Sequence, residues 1–187
     1  AYLRFLPGGS RHPIDLGAAA CCDSGHKTLP VLTGGAYLHL GPKAPVQEES
    51  TVRNALALFG STSPSYLILQ SLDACNRLLS TDYPARLQEC CDRLAALRAR
   101  LNALAAAQGT ALPLALDGPA REPMKLTLDA AALGLTGQAL ADHLRQNGME
   151  CEYADPRYLV LMFTPENPAE DIVRLEAALA ELCARGI

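Results

Sequence analysis

Along residues 1–45 the apolar positions come in short runs broken by glycine and proline. The runs 16–22 and 36–40 are strand-length, and the second lies between Gly34-Gly35 and Gly41-Pro42, which predicts two strands. From Gln47 the spacing lengthens. Val52, Ala55, Leu56 and Leu58 recur at steps of one to three, which predicts a helix over 48–59 stopped by Gly60. Ser63-Pro64 predicts a second helix start, running through Tyr66, Leu67, Leu69, Leu72 and Leu78 to Leu79. Serine caps such a start with its hydroxyl, and proline suits the first helical position because its missing N–H has no partner to lose there.

Asp82-Tyr83-Pro84 opens the longest predicted helix, which continues to Gln108 and closes at Gly109. Leu87, Cys90, Leu94, Leu97, Leu101 and Leu104 repeat at threes and fours, so they share one face. A stripe of this length suits a long helix packed on a core, with a coiled coil as the alternative. Beyond Gly109 the elements alternate. Residues 112–116 and 124–128 read as strands, with Lys125 and Thr127 on the opposite face of the second. Thr136 caps a helix over 136–147 that ends at Gly148, and 151–153 and 158–163 read as a strand pair joined by 154–157. Asn167-Pro168 starts a last amphipathic helix carrying Ile172, Leu175, Leu179 and Leu182. The expected organisation is mixed, α/β followed by α+β. Residues 1–108 end a larger domain in the long linking helix, and 109–187 form a small α+β domain with helices on one sheet face.

Composition narrows the function classes. The 187 residues are 49% hydrophobic and 19% charged, ordinary for a globular protein, and the formal charge of -4 offers no basic footprint for nucleic acid. No apolar run approaches the roughly 20 residues of a membrane span, and no signal-peptide pattern opens the chain, so a cytoplasmic location is expected. The seven cysteines include the adjacent pairs Cys21-Cys22 and Cys90-Cys91 and no C-x-x-C or Cys/His zinc spacing. Free thiols acting as small apolar residues are expected, and no metal site.

The segment Asp23-Ser24-Gly25-His26-Lys27-Thr28-Leu29-Pro30 carries the candidate chemistry. Lysine is scarce here, with only Lys27, Lys43 and Lys125 present, and Lys27 alone follows a strand-like run among small and hydroxyl residues. A neutral lysine amine can form a Schiff base with a carbonyl cofactor. Ser24 and Thr28 could donate to a phosphate, and His26 could contact the cofactor or a proton in transit. On these residues alone, a solvated turn remains the alternative. Of the histidines elsewhere, His12 lies in a loop that reads as a solvated turn, and His39 reads as a structural histidine on a strand. Glu122 and Asp155 read as surface charges, and nothing singles out Arg121 or Arg157 as a carboxylate anchor.

Ser24-x-His26-Lys27 resembles the S-x-H-K signature of fold-type I pyridoxal-phosphate enzymes. The continuation from Thr28 to Ala36 resembles Orn/Lys/Arg decarboxylases of the shorter bacterial kind, and Gly60-Ser61-Thr62-Ser63-Pro64-Ser65-Tyr66 resembles that family's S-T-S-P-x-Y stretch. The resemblance implies the end of an aspartate-aminotransferase-like large domain followed by a small domain. It also implies pyridoxal 5'-phosphate held on Lys27 as an internal aldimine, with the ring as electron sink when carbon dioxide leaves a basic amino acid. Lys27 and His26 are the implied catalytic residues. Ser24, His26, Lys27, Thr62 and Ser63 are the implied cofactor contacts, the last two reaching a neighbouring subunit's phosphate in a homodimer or dimer of dimers. A helix start at Ser63-Pro64 would itself favour an anion, although capping alone also explains those hydroxyls.

The family's ring-pairing aspartate and ring-stacking histidine precede a Gly-Ala-Tyr-Leu-like stretch, and this chain opens at Ala1-Tyr2-Leu3. The chain is therefore expected to be part of a longer enzyme and inactive by itself. Three other readings stand beside it. A cysteine desulfurase also uses S-x-H-K but needs a cysteine on a mobile loop. An aminotransferase needs a carboxylate-binding arginine. A non-catalytic dimerisation or regulatory module would need neither.

Overall fold

The computed structural model describes residues 1–7, 11–118 and 121–184. The chain divides into two compact units, Ala1–Gln88 and Glu89–Ile187, at a point inside the longest helix and ahead of the boundary expected at residue 108.

The first unit holds an antiparallel hairpin, β1 (Ala20–Ser24) and β2 (Ala36–Leu40), registered from Ala20 opposite Leu40 to Ser24 opposite Ala36. Strand β1 starts later than the apolar run suggested. The amides of Asp15 and Leu16 donate to the His12 carbonyl and those of Gly17 and Ala18 to Ile14 and Pro13, so 12–18 coils into turns. Gly17 supplies the positive φ of 100° that ends them, and Leu16 is left exposed. Helices α1 (Glu49–Phe59) and α2 (Tyr66–Leu79) follow, and α3 (Tyr83–Ala107) begins in this unit. Helix α2 starts two residues later than Ser63-Pro64 predicted. Ser65 is its cap, its hydroxyl accepting from the Ile68 amide, while the Ser63 amide donates to Ser61 Oγ in the preceding loop. Tyr2, Ile14, Leu29, Val31 and Cys75 are buried here, whereas α1 buries no residue at all.

In the second unit β3 (Lys125–Asp129), β4 (Tyr153–Ala154) and β5 (Tyr158–Met162) form an antiparallel sheet in the order β3-β5-β4. Helices α4 (Gly137–Gln146) and α5 (Ala169–Ala184) accompany it. Leu126 and Leu128 are buried while Lys125 and Thr127 take the other face, as the alternation predicted. Leu94, Leu97 and Leu101 of the α3 stripe are fully buried with Leu140, Leu144, Leu159 and Leu179, the packed-helix outcome rather than a free coiled coil. Thr136 caps α4 through the Ala139 amide, and a Cβ on Gly137 would strike the Asp155 and Tyr158 carbonyls, so only glycine lets α4 approach the sheet there. The strand expected at 112–116 shrinks to a bridge from Ala115 to Leu128, because the Asn102 side chain takes both the N–H and the carbonyl of Ala115.

Polar side chains fasten this unit from inside. Arg98, almost wholly buried, donates to the Pro123 and Lys125 carbonyls at 2.8 and 2.6 Å. Asp129 is 2% exposed and receives a two-pronged contact from Arg157, so that arginine is committed to structure. Asp155 accepts the Arg157 and Tyr158 amides and shapes the hairpin turn. Glu122 is not the surface charge the sequence suggested. It is half-buried, and burial pushes its carboxyl up despite the Met124 amide and Lys125 nearby.

Two outcomes follow. In urea unfolding, Leu128→Ala is expected to cost about 2–5 kcal/mol through the cavity it leaves, and Thr136→Ala about 1 kcal/mol through the lost cap. For Glu122 the folded state holds its proton more tightly than the unfolded chain. Stability is therefore highest below the carboxyl's ordinary range and falls as pH rises through that range toward the raised folded value. Glu122→Gln removes that component, so the variant's urea midpoint should decline less than the parent's over that window.

Candidate active site

Strand alternation decides what the β1–β2 hairpin presents. Cys22 and Ser24 are exposed, while Cys21 and Asp23 turn to the more buried side with Tyr37 and His39. After Ser24 the backbone folds into one tight 3-10 turn, Gly25–Lys27. The Gly25 amide donates to the Gly35 carbonyl at 3.0 Å, and the Gly25 carbonyl accepts from the Leu29 amide at 2.9 Å. A Cβ on Gly25 would lie 3.1 Å from the Tyr37 ring, so any larger residue here would have to push that ring aside by a few tenths of an ångström. Buried Leu29 and Val31 anchor its far side, and the Leu32 amide donates to Ser71 Oγ on α2.

The turn brings Ser24, His26 and Lys27 together within one revolution. Lys27 and Ser24 are exposed, and the Ser24 hydroxyl does not cap the turn. His26 is half-buried with Nδ1 3.2 Å from the Gly35 carbonyl, which assigns the ring proton to Nδ1 and leaves Nε2 as an acceptor. Thr28 Oγ1 is buried without a hydrogen-bond partner. An exposed primary amine on a pinned turn, with a serine hydroxyl three residues before it, is a donor set that fits a phosphorylated aldehyde. Thr62 and Ser63 are exposed in the loop between α1 and α2, and among the described residues no hydrogen bond joins them to the 24–27 turn.

A second cluster lies on the inner side of the hairpin, and sequence reasoning missed it. His12 is 1% exposed rather than in a solvated turn, and its Nε2 lies 2.7 Å from Asp23 Oδ2. Its Nδ1 accepts from the Ile14 amide at 3.3 Å, which puts the ring proton on Nε2. His39 Nε2 stands 3.1 Å from the same Asp23 oxygen, and Cys21 Sγ is 3.2 Å from Asp23 Oδ1. Burial would raise the Asp23 carboxyl, but hydrogen bonds from His12 and Cys21 outweigh it and hold the group below its usual range. Burial pushes His39 down, more than the Asp23 charge restores. The available signal was the alternation itself, which sets Cys21 and Asp23 across from His39 and Tyr37.

Comparison with known proteins supplies the family. Residues 16–114, more than half of the chain, match the Orn/Lys/Arg decarboxylase major domain. An arginine decarboxylase of Bacillus subtilis is 29% identical over 172 residues, spanning 90% of this chain and 35% of that protein. The B. subtilis protein YaaO, uncharacterized, is 30% identical over 80% of this chain and 30% of its own length. The chain thus spans about a third of the length of the curated relatives it matches. Among solved structures, the E. coli constitutive lysine decarboxylase aligns over 87% of this chain and 28% of its own, with TM-score 0.68 and 18% identity. The Francisella novicida lysine decarboxylase LdcF aligns at TM-score 0.66, covering 86% of this chain and 27% of that one, also at 18% identity. Those two likenesses bear on the fold, which is mixed α and β as expected. No described helix is long and apolar enough to cross a membrane. With the S-x-H-K turn lying inside the matched segment, the chain belongs to the Orn/Lys/Arg decarboxylase family.

Proposed function

We propose that the complete gene product containing this chain decarboxylates a basic amino acid, arginine, lysine or ornithine, with pyridoxal 5'-phosphate held on Lys27. The observation that carries this reading is the exposed Lys27 amine on a turn pinned at both ends, within the segment that matches the family. The substrate class follows the relatives' names, arginine decarboxylase among the curated proteins and lysine decarboxylase among the structures.

When bound, the cofactor supplies an electron sink for the pair left on the α-carbon as carbon dioxide departs. The protein's part is positional. Lys27 Nζ would hold the cofactor at its aldehyde carbon, which requires the amine in its neutral form. Ser24 Oγ donates to the phosphate, and His26, its Nδ1 proton engaged with Gly35, offers Nε2 to hold a proton at the ring face. Thr62 and Ser63, on a different loop from Lys27, contact the phosphate of a neighbouring subunit. An exposed apolar surface flanks that loop and supports a homodimer. Leu58, Phe59, Tyr66 and Leu67, on either side of that loop, are each at least 68% exposed. Cys75, Cys90 and Cys183 are poorly suited to desulfurase chemistry, since they are buried and burial raises their thiols.

Lys27→Ala in the complete product should abolish the cofactor's visible absorbance and reduce carbon dioxide release by at least about 10²–10⁴-fold, the range for losing one positioned catalytic group. Ser24→Ala should weaken cofactor binding by about 10–100-fold while leaving the fold intact. A Lys27→Ala protein that keeps both colour and turnover sinks the assignment. The double variant Leu58→Glu, Phe59→Glu should shift sedimentation from dimer toward monomer, and an unchanged mass would remove this face from the interface.

A further inference from the structure

The cluster around Asp23 has the donors and spacing of a metal site. His12 and His39 reach one carboxylate from different segments, a loop and β2, and the ligand atoms of His12, Asp23 and His39 all lie within 4.8 Å of one another. The His39 contact is the informative one. Its Nε2 is 3.1 Å from Asp23 Oδ2, yet it is buried without a hydrogen-bond partner, because the ring N–H does not point at that oxygen. A short, misaligned N–O contact is what two ligands show when their lone pairs converge on a third atom. Cys21 Sγ stands beside this three-residue cluster, 3.2 Å from Asp23 Oδ1 and 4.0 Å from His12 Nε2, close enough to enter as a fourth ligand on turning its side chain. Tetrahedral zinc with bonds of about 2.0–2.3 Å sets its ligands about 3.3–3.7 Å apart, and the separations here bracket that range.

We propose that His12, Asp23, His39 and Cys21 bind a divalent zinc-type ion on the inner side of the β1–β2 hairpin, fastening the 12–18 loop to the strand that leads into the Lys27 turn. Binding ionises the Cys21 thiol and releases its proton to solvent. At His12 the ring proton moves from Nε2 to Nδ1, so the 3.3 Å contact from the Ile14 amide opens. One positive side chain stands near, Arg4, which pairs with Asp15.

The test uses untagged, metal-stripped protein with no substrate or cofactor, so its outcome is independent of the decarboxylase reading. Titration with Co²⁺ should give one equivalent per chain with tetrahedral visible bands and a sulfur-to-cobalt charge-transfer band. Zn²⁺ should displace the cobalt and release about one proton per ion. Cys21→Ser should lose the charge-transfer band. His39→Gln, at a partly exposed position that preserves the fold by circular dichroism, should weaken binding by at least about 100-fold. No stoichiometric binding, a spectrum without the sulfur band, or affinity unchanged in His39→Gln would each overturn the proposal, the last assigning the ion to other thiols of the chain.

Discussion

The antiparallel register that sets Cys21 opposite His39 and Asp23 opposite Tyr37 is the constraint on which the functional part of this protein depends. A shift of one residue would exchange the two faces of the hairpin. Asp23 and its histidines would go to solvent, and Ser24 would turn inward. The register is held by the turn that follows. Gly25 hydrogen-bonds across to Gly35 and packs closely on the Tyr37 ring, so the end of β1 and the start of β2 are tied together where Lys27 emerges.

The two units solve burial differently. The second carries its own core, with fully buried leucines from α3, β3, α4, β5 and α5, and within it Arg98 donates to backbone carbonyls while Asp129 pairs with Arg157. The first leaves α1 without one buried residue and exposes Leu58, Phe59, Tyr66 and Leu67. Helix α1 is thus the described helix of the first unit with nothing buried, and the loop carrying Thr62 and Ser63 follows directly on it.

Much of this was legible in the sequence where local rules act alone. The Thr136 cap, the glycine stops at Gly60 and Gly148, and the inward Leu126 and Leu128 follow from spacing and side-chain chemistry, whereas the S-x-H-K segment stood out through its resemblance to a known family. What failed depended on competition between partners. Ser63-Pro64 looked like a helix start, but Ser65 captured the Ile68 amide instead. Residues 112–116 had strand composition, but Asn102 on a distant helix took Ala115's backbone groups. His12 read as a solvated turn because its partner, Asp23, is eleven residues away and faces it only once β1 has formed. Glu122 read as a surface charge because burial by non-local packing leaves no mark in its neighbours along the chain.

The central claim is that Lys27 is the residue that carries the cofactor. Its most direct test is borohydride reduction of the complete gene product loaded with pyridoxal 5'-phosphate, followed by peptide mapping by mass spectrometry. The expected result is one phosphopyridoxyl modification, on Lys27. A folded protein in excess cofactor with no modification, or with the label on Lys43 or Lys125, would contradict it.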